Sequence, residues 1–254
     1  MSIIGIDIGG TEIKLLRVDG NKRGRFLSIQ TPRTKRRLLA RLSSAVISFI
    51  HDGPVSGIGI GAPGIVDRRN GVLVHSPNLP FLNRWNIKRF FKKFNVPVKI
   101  DNDSRCFLRG EAVYGAGRGK KYIAVLTIGT GVGGGLLLDG KVYFGKHSGA
   151  GEFGHMVVNH GKTLEELAGK RAFKKYGDRS AVVGTGVANI VNAFDPEIVI
   201  LGGGALYAKK MNIQKVRTIA ARHIMSPQEK HIPIVKGKLG PSAGALGATL
   251  LFRP

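Results

Sequence analysis

Short β-branched runs at residues 3–8 and 13–18, joined by Gly9-Gly10-Thr11-Glu12 and followed by a third run at 25–30, predict that the chain opens as a meander of paired strands. Leu38, Leu39, Leu42, Val46, Ile47 and Ile50 then recur at helical spacing and leave the arginines on the opposite face. A strand at 55–61 runs into Gly-Ala-Pro-Gly; Ile87, Phe90, Phe91 and Phe94 mark a second helix; 96–100 reads as a strand and 104–114 as a third helix, stopped by Gly115-Ala116-Gly117. The pattern then restarts. Residues 122–128 and 134–138 read as strands around a glycine loop, as 3–8 and 13–18 did, and 198–201 is a buried strand between two helical stretches. Two α/β lobes are expected, with a boundary near 115–120 and a cleft between them. The first lobe would comprise 1–116, completed by a C-terminal helix at 241–254, and the second 117–240.

Composition narrows the picture. The 254 residues carry 40 Lys and Arg against 16 Asp and Glu, a formal charge of +24. No apolar run approaches the ~18 residues of a membrane span, and Asp7 interrupts the start where a signal peptide needs unbroken apolar residues, so a cytoplasmic protein is expected. Cys106 is the single cysteine, which excludes an internal disulfide and a Cys-rich zinc site. The 37 glycines fall in clusters, as expected where backbone approaches a ligand.

Two of these clusters suggest chemistry. Asp7 stands near a strand end beside Gly9, Gly10 and Thr11, and Thr127 to Gly135 repeats the arrangement with hydroxyls, offering Thr130, Gly131 and Gly133. Amides with no side chains over them, together with a hydroxyl, can hold phosphate oxygens, and a nearby Asp can hold Mg²⁺ through water. Neither turn fits the P-loop or the dinucleotide fingerprint. Either turn alone reads equally as a tight hairpin that uses glycine for positive φ. Their recurrence at the same place in two similarly built lobes favours a phosphate clamp.

The ordered motifs GIDIGGT, GIGIGAPGIVD, SPNLP, DNDSRCFLRGE, LTIGTGVGGG, GAGEFGHM and PEIVILGGG resemble the ROK family of sugar kinases over nearly the whole chain. The resemblance implies a two-lobed actin-like ATPase (ribonuclease H-like) fold with the active-site cleft between lobes. It also implies ATP with Mg²⁺ and transfer of the γ-phosphoryl group to a hexose hydroxyl, with the 6-hydroxyl of glucose foremost. Gly202, Gly203 and Gly204 would lie beside the adenosine, where a strand ends in glycines before a helix N-terminus.

Asp103 follows a strand and precedes a helix, a rigid place from which a carboxylate can take the proton of an attacking hydroxyl. Asp103 and Ser104 are equally ordinary helix N-caps. The resemblance makes Asp103 the catalytic base and gives it, with Asn102 and Asn78, contact with the sugar; Asp101 is less suited, because the family tolerates other residues there. Read locally, Asn78 is a turn residue. Glu152 and His155 stand three apart, so one helical turn would place both on one face. By resemblance both hold sugar hydroxyls, as does Glu165, whose alternative is the solvated helix face expected of Glu166. A carboxylate accepts two hydroxyl hydrogen bonds and an imidazole can donate one, which suits a polyol.

The chain departs from the family in two places. Residues 157–163 lack the cysteine cluster that joins a histidine around zinc in many members, and His147, His155 and His160 have no carboxylate at ligand spacing, so no zinc is expected. Between Tyr176 and Val187 the chain is about one helix shorter than longer relatives, which bears on nucleotide-side packing and on the usual homodimer contact. A zinc-free, shortened member also resembles polyphosphate-dependent glucokinases and glucomannokinases. Lys88-Arg89, Lys92-Lys93, Arg118, Lys120-Lys121, Lys170-Arg171 and Lys174-Lys175 could line a polyanion groove. The basic residues are spread over almost every helix, though, and a generally basic surface is the simpler account. An N-acetylhexosamine kinase and a non-catalytic sugar sensor are further alternatives. Specific nucleic-acid binding is not expected, since only 7% of residues are aromatic and no helix-turn-helix precedes Ile3.

Overall fold

The computed structural model describes residues 1–208 and 210–253. The chain packs as two units, Met1–Gly110 with Ser242–Pro254, and Glu111–Pro241.

The first unit opens with β1 (Ser2–Ile8), β2 (Glu12–Asp19) and β3 (Lys22–Gln30), the expected meander, and continues through α1 (Lys35–His51) to β4 (Gly57–Ala62). A small sheet of β5 (Ile65–Asp67), β6 (Val72–His75) and β7 (Trp85–Asn86) follows, then α2 (Ile87–Phe91), β8 (Val98–Asn102) and α3 (Asp103–Tyr114). The main sheet has the order β3-β2-β1-β4-β8, with β1 antiparallel to β2 and parallel to β4. The apolar face of α1 buries Leu38, Leu42, Val46 and Phe49 against Ile4, Ile6, Leu15 and Ile58. Ile47 is an exception to the expected face. It lies off the stripe at 47% exposure.

The second unit repeats this plan. It contains β9 (Ile123–Ile128), β10 (Val132–Leu138), β11 (Lys141–Val142), a hairpin of β12 (Val157–Asn159) and β13 (Lys162–Thr163), and the helices α4 (Leu164–Ala168), α5 (Lys170–Tyr176) and α6 (Ser180–Phe194). Then come β14 (Ile198–Gly202), α7 (Gly204–Tyr207), α8 (Ile213–His223) and β15 (Ile234–Lys236). Its sheet order, β11-β10-β9-β14-β15, matches that of the first unit position for position, including the antiparallel hairpin and the parallel partners. Each glycine turn therefore joins the first two strands of its own sheet.

The C-terminal segment forms a shorter helix than expected, α9 (Ala243–Thr249), which ends in a 3₁₀ turn at Leu250–Phe252. It lies on β1 and β4, and glycines allow it to do so: a Cβ at Gly5 would strike the Ala245 carbonyl and one at Gly59 the Ala248 carbonyl. Both obstacles are helix backbone, which cannot move without moving α9. Gly59→Ala should therefore lower stability by about 1–3 kcal/mol, as overpacking does, readable as a shift of the urea midpoint. An unchanged midpoint would show that α9 packs less closely. No described helix is long and apolar enough to cross a membrane.

Candidate functional site

In the first unit the chemistry gathers at the carboxyl ends of β1, β4 and β8, where open α/β sheets bind ligands. Asp7 is paired in register with Lys14 on one side and Gly61 on the other, and Gly61 with Asp101. A Cβ built on Gly61 would stand 3.3 Å from the Asp103 Cα, so the glycine lets α3 start close against the sheet. Burial pushes the Asp7 carboxyl up to about 7; the nearby Asp103 charge adds to the rise and Lys14 opposes it. Gly244 of α9 leaves no room for a side chain beside that carboxylate. Gly9 donates its amide to the Glu12 carbonyl at 2.9 Å, closing the turn, and Gly10 is half-buried beside an exposed Thr11.

The strand β8 runs two residues further than its pattern predicts, so Asp101 and Asn102 belong to it and Asp103 is the first helical residue. Asn102 performs the capping. Its Oδ1 accepts the Arg105 amide at 3.1 Å, three residues on, and its Nδ2 donates to the Gly64 carbonyl at 3.1 Å. The Asp103 Oδ1 accepts the amide of its neighbour, Ser104 N, at 2.8 Å, a contact one residue on rather than the two or three of a cap. Asp101 is fully buried and takes the Arg105 Nε at 2.8 Å, the Arg109 NH2 at 3.0 Å and the Asn102 amide at 2.8 Å, with the Arg68 Nε at 3.6 Å. A carboxylate held by three guanidiniums is an anchor for the start of α3 rather than a proton acceptor. None of these three arginines stands out in the sequence, because Asp101 lies in β8 and Arg105 in α3, so no single-element spacing links them. Asn78 lies exposed in the turn before Leu79.

In the second unit the Gly129 amide donates to the Gly131 carbonyl at 2.9 Å, which leaves Thr130 exposed at the tip and Gly131 and Gly133 half-buried behind it. The end of β14 comes alongside. Gly203, at φ +92°, presses its Cα face onto Ile128, where any Cβ would clash, and a Cβ at Gly129 would lie 3.9 Å from the Gly204 amide. Thus Gly203 and Gly204 lie beside Ile128 and Gly129, at the start of the turn that carries Thr130, Gly131 and Gly133. Just beyond, burial and the charge of Glu111 push the Tyr207 hydroxyl up to about 12.

A 3₁₀ turn, Phe153–His155, follows Glu152 and packs its buried Phe153 and Gly154 beneath β10. Three residues make one such turn, so Glu152 and His155 share a face, Glu152 half-buried and His155 exposed. Glu165 is half-buried and its Oε2 accepts the Val132 amide at 2.8 Å. Glu166 is exposed, yet it does more than face solvent: it closes a capping box with Thr163. Of the basic residues proposed for a groove, Lys88, Arg89 and Lys92 line one pocket with Asn70 and Asn86, while Lys93 turns onto the Phe90 ring. Among the described residues no group of three or more His, Cys, Asp or Glu is placed to hold a metal ion.

Two sheets of identical order, each with a glycine turn between its first strands, are the plan of an actin-like ATPase, and the similarities of the chain agree. The chain belongs to the ROK family, whose model it matches over residues 3–178 and 161–254. It is 28% identical to a glucokinase of Thermotoga maritima over 311 aligned positions, covering 100% of this chain and 98% of that protein. It is also 27% identical to a xylose repressor of Caldicellulosiruptor bescii, covering 97% of this chain and 76% of the repressor. Among solved structures, a ROK family glucokinase of Streptomyces griseus in complex with glucose and AMPPNP superposes with a TM-score of 0.87 at 25% identity, over 99% of both chains.

Proposed function

We propose that the protein is a sugar kinase that moves the γ-phosphoryl group of ATP to a hexose hydroxyl, the 6-hydroxyl of glucose before others. The observation that supports this most is the state of Asp103: a half-buried carboxylate at a rigid strand-to-helix junction whose capping duty has passed to Asn102. Such a group is suited to accept the proton of the attacking hydroxyl as the phosphoryl group is transferred. Asn78, Asn102, Glu152, His155 and Glu165 hold sugar hydroxyls; by the side-chain inventory Asn102 keeps one amide hydrogen and one lone pair beyond its internal bonds. The glycine turns at Gly9-Gly10-Thr11 and Thr130 to Gly133 hold phosphate oxygens, and Gly203 and Gly204 lie along the adenosine.

Asp7 fits a water-mediated Mg²⁺ contact. Its carboxyl is raised by burial and by the charge of Asp103, and a cation there relieves both costs. When bound with ATP, Mg²⁺ neutralises phosphate charge. The role of the chain is to place the Asp7 carboxyl toward it, and the cation favours its ionised form.

Release of ADP followed across hexoses and N-acetylhexosamines, with ATP and polyphosphate as separate donors, tests the substrate. The highest kcat/KM is expected for glucose with ATP; a higher value with another sugar or with polyphosphate would reassign that substrate. The second glycine turn has its own test. Gly131→Val places a β-branched side chain where backbone must approach phosphate, so ATP affinity should fall at least tenfold with little loss of stability. Unchanged affinity in a calorimetric titration would remove this turn from the nucleotide site.

A further inference from the structure

Glu165 lies on α4, away from the glycine turn in sequence, yet its Oε2 is 2.8 Å from the amide of Val132, the residue between Gly131 and Gly133. The same corner of chain is tied to the turn a second time, by the Lys170 amide on the Thr130 carbonyl at 3.3 Å. Gly169 sits buried there, where a Cβ would come within 3.2 Å of that same carbonyl. On the other side of Val132 its carbonyl is covered by Gly154, the middle residue of the 3₁₀ turn that carries Glu152 and His155; no Cβ fits between them. One residue of the glycine turn is therefore gripped through its N–H by one proposed sugar ligand, Glu165, and backed through its C=O by the segment bearing two more, Glu152 and His155.

From this we infer that Glu165 couples the two substrates, one carboxylate oxygen holding Val132 and the other taking a sugar hydroxyl, so that a bound sugar sets the turn for nucleotide. The inference rests on the proposed kinase function and adds the route by which one site biases the other. A carboxylate has lone pairs enough for both partners. Fixing its rotamer with a sugar hydroxyl holds the Val132 amide in place before nucleotide arrives, so part of the ordering cost of the turn is already met. Linkage makes the effect reciprocal: nucleotide must tighten sugar by the same factor.

Titration of AMPPNP with Mg²⁺, without sugar and with glucose at ten times its Kd, measures the coupling. The parent should bind the nucleotide roughly 5- to 20-fold more tightly with sugar present, within the usual range of coupling energies. Glu165→Ala, at ten times its own glucose Kd, should bring that ratio to about 1. Glu165→Gln keeps an acceptor for the Val132 amide and should restore much of it. A parent ratio of 1, or an alanine variant that keeps the parent ratio, would overturn the coupling. Hydrogen exchange on the parent alone gives a second reading that needs no variant: glucose without nucleotide should slow exchange across residues 129–133, and unchanged exchange there would also overturn it. Failure of the underlying kinase reading looks different, since no sugar would then be phosphorylated at all.

Discussion

Asp103→Asn should phosphorylate sugar about 10²- to 10⁴-fold more slowly than the parent while binding sugar and nucleotide within a few-fold of it. The substitution removes the proton acceptor and keeps the size of the side chain. Capping of α3 rests on Asn102, and the Asp103 Oδ1 contact with the Ser104 amide can be made by an asparagine oxygen. Stability should therefore change by only a few tenths of a kcal/mol. Steady-state kinetics and a thermal melt together check this: a near-parental kcat would mean that Asp103 is structural, whereas a large fall in melting temperature would mean that its charge holds the helix start. Glu152→Gln should behave differently, raising the KM for sugar more than it lowers kcat, because Glu152 is assigned to a hydroxyl rather than to the proton.

Asp7→Asn should make the protein more stable and less active at once. The Asp7 carboxyl titrates near 7 in the folded chain against 3.8 as its ordinary value. Between those two pH values the folded protein keeps a proton that the unfolded chain gives up, so stability falls as pH rises through that window. Below about pH 4 both states are protonated and the penalty vanishes; above about pH 7 it is complete, at most ~4 kcal/mol for a shift of about three pH units. The variant should accordingly exceed the parent by up to that amount at pH 8 and match it near pH 3.5, as measured by urea unfolding at the two pH values. Its affinity for Mg²⁺ and ATP together should fall about 10- to 100-fold, as when an outer-sphere metal partner is lost. In the parent, that affinity should weaken from pH 8 to pH 6 as Asp7 takes up its proton. Equal stabilities of parent and variant at pH 8 would contradict the strained carboxylate.

The repeated plan of the fold was legible because it is written in period-two runs and glycine turns, which depend on local backbone chemistry. Residues 3–8 with 13–18 and residues 122–128 with 134–138 do pair as hairpins, and β4 and β14 run parallel to β1 and β9 beside them. What stayed hidden depends on contacts distant in sequence. The two-residue β11 and β7 are too short to show a period, and the passage of the capping role from Asp103 to Asn102 turns on where β8 ends, which tertiary pairing with β4 decides. The burial of Arg105 at 2% exposure, and the contact of Glu165 with Val132 across 33 residues, likewise follow from packing that no local pattern encodes. In a chain of +24, an internal arginine looks like any other.

The most direct test is to identify the product formed from glucose, ATP and Mg²⁺ by ³¹P NMR. The proposed kinase should yield a glucose monophosphate, with the phosphoryl group on the 6-hydroxyl, and one ADP for each molecule formed. ADP without a sugar phosphate, or no turnover of ATP with any sugar of the panel, would contradict it.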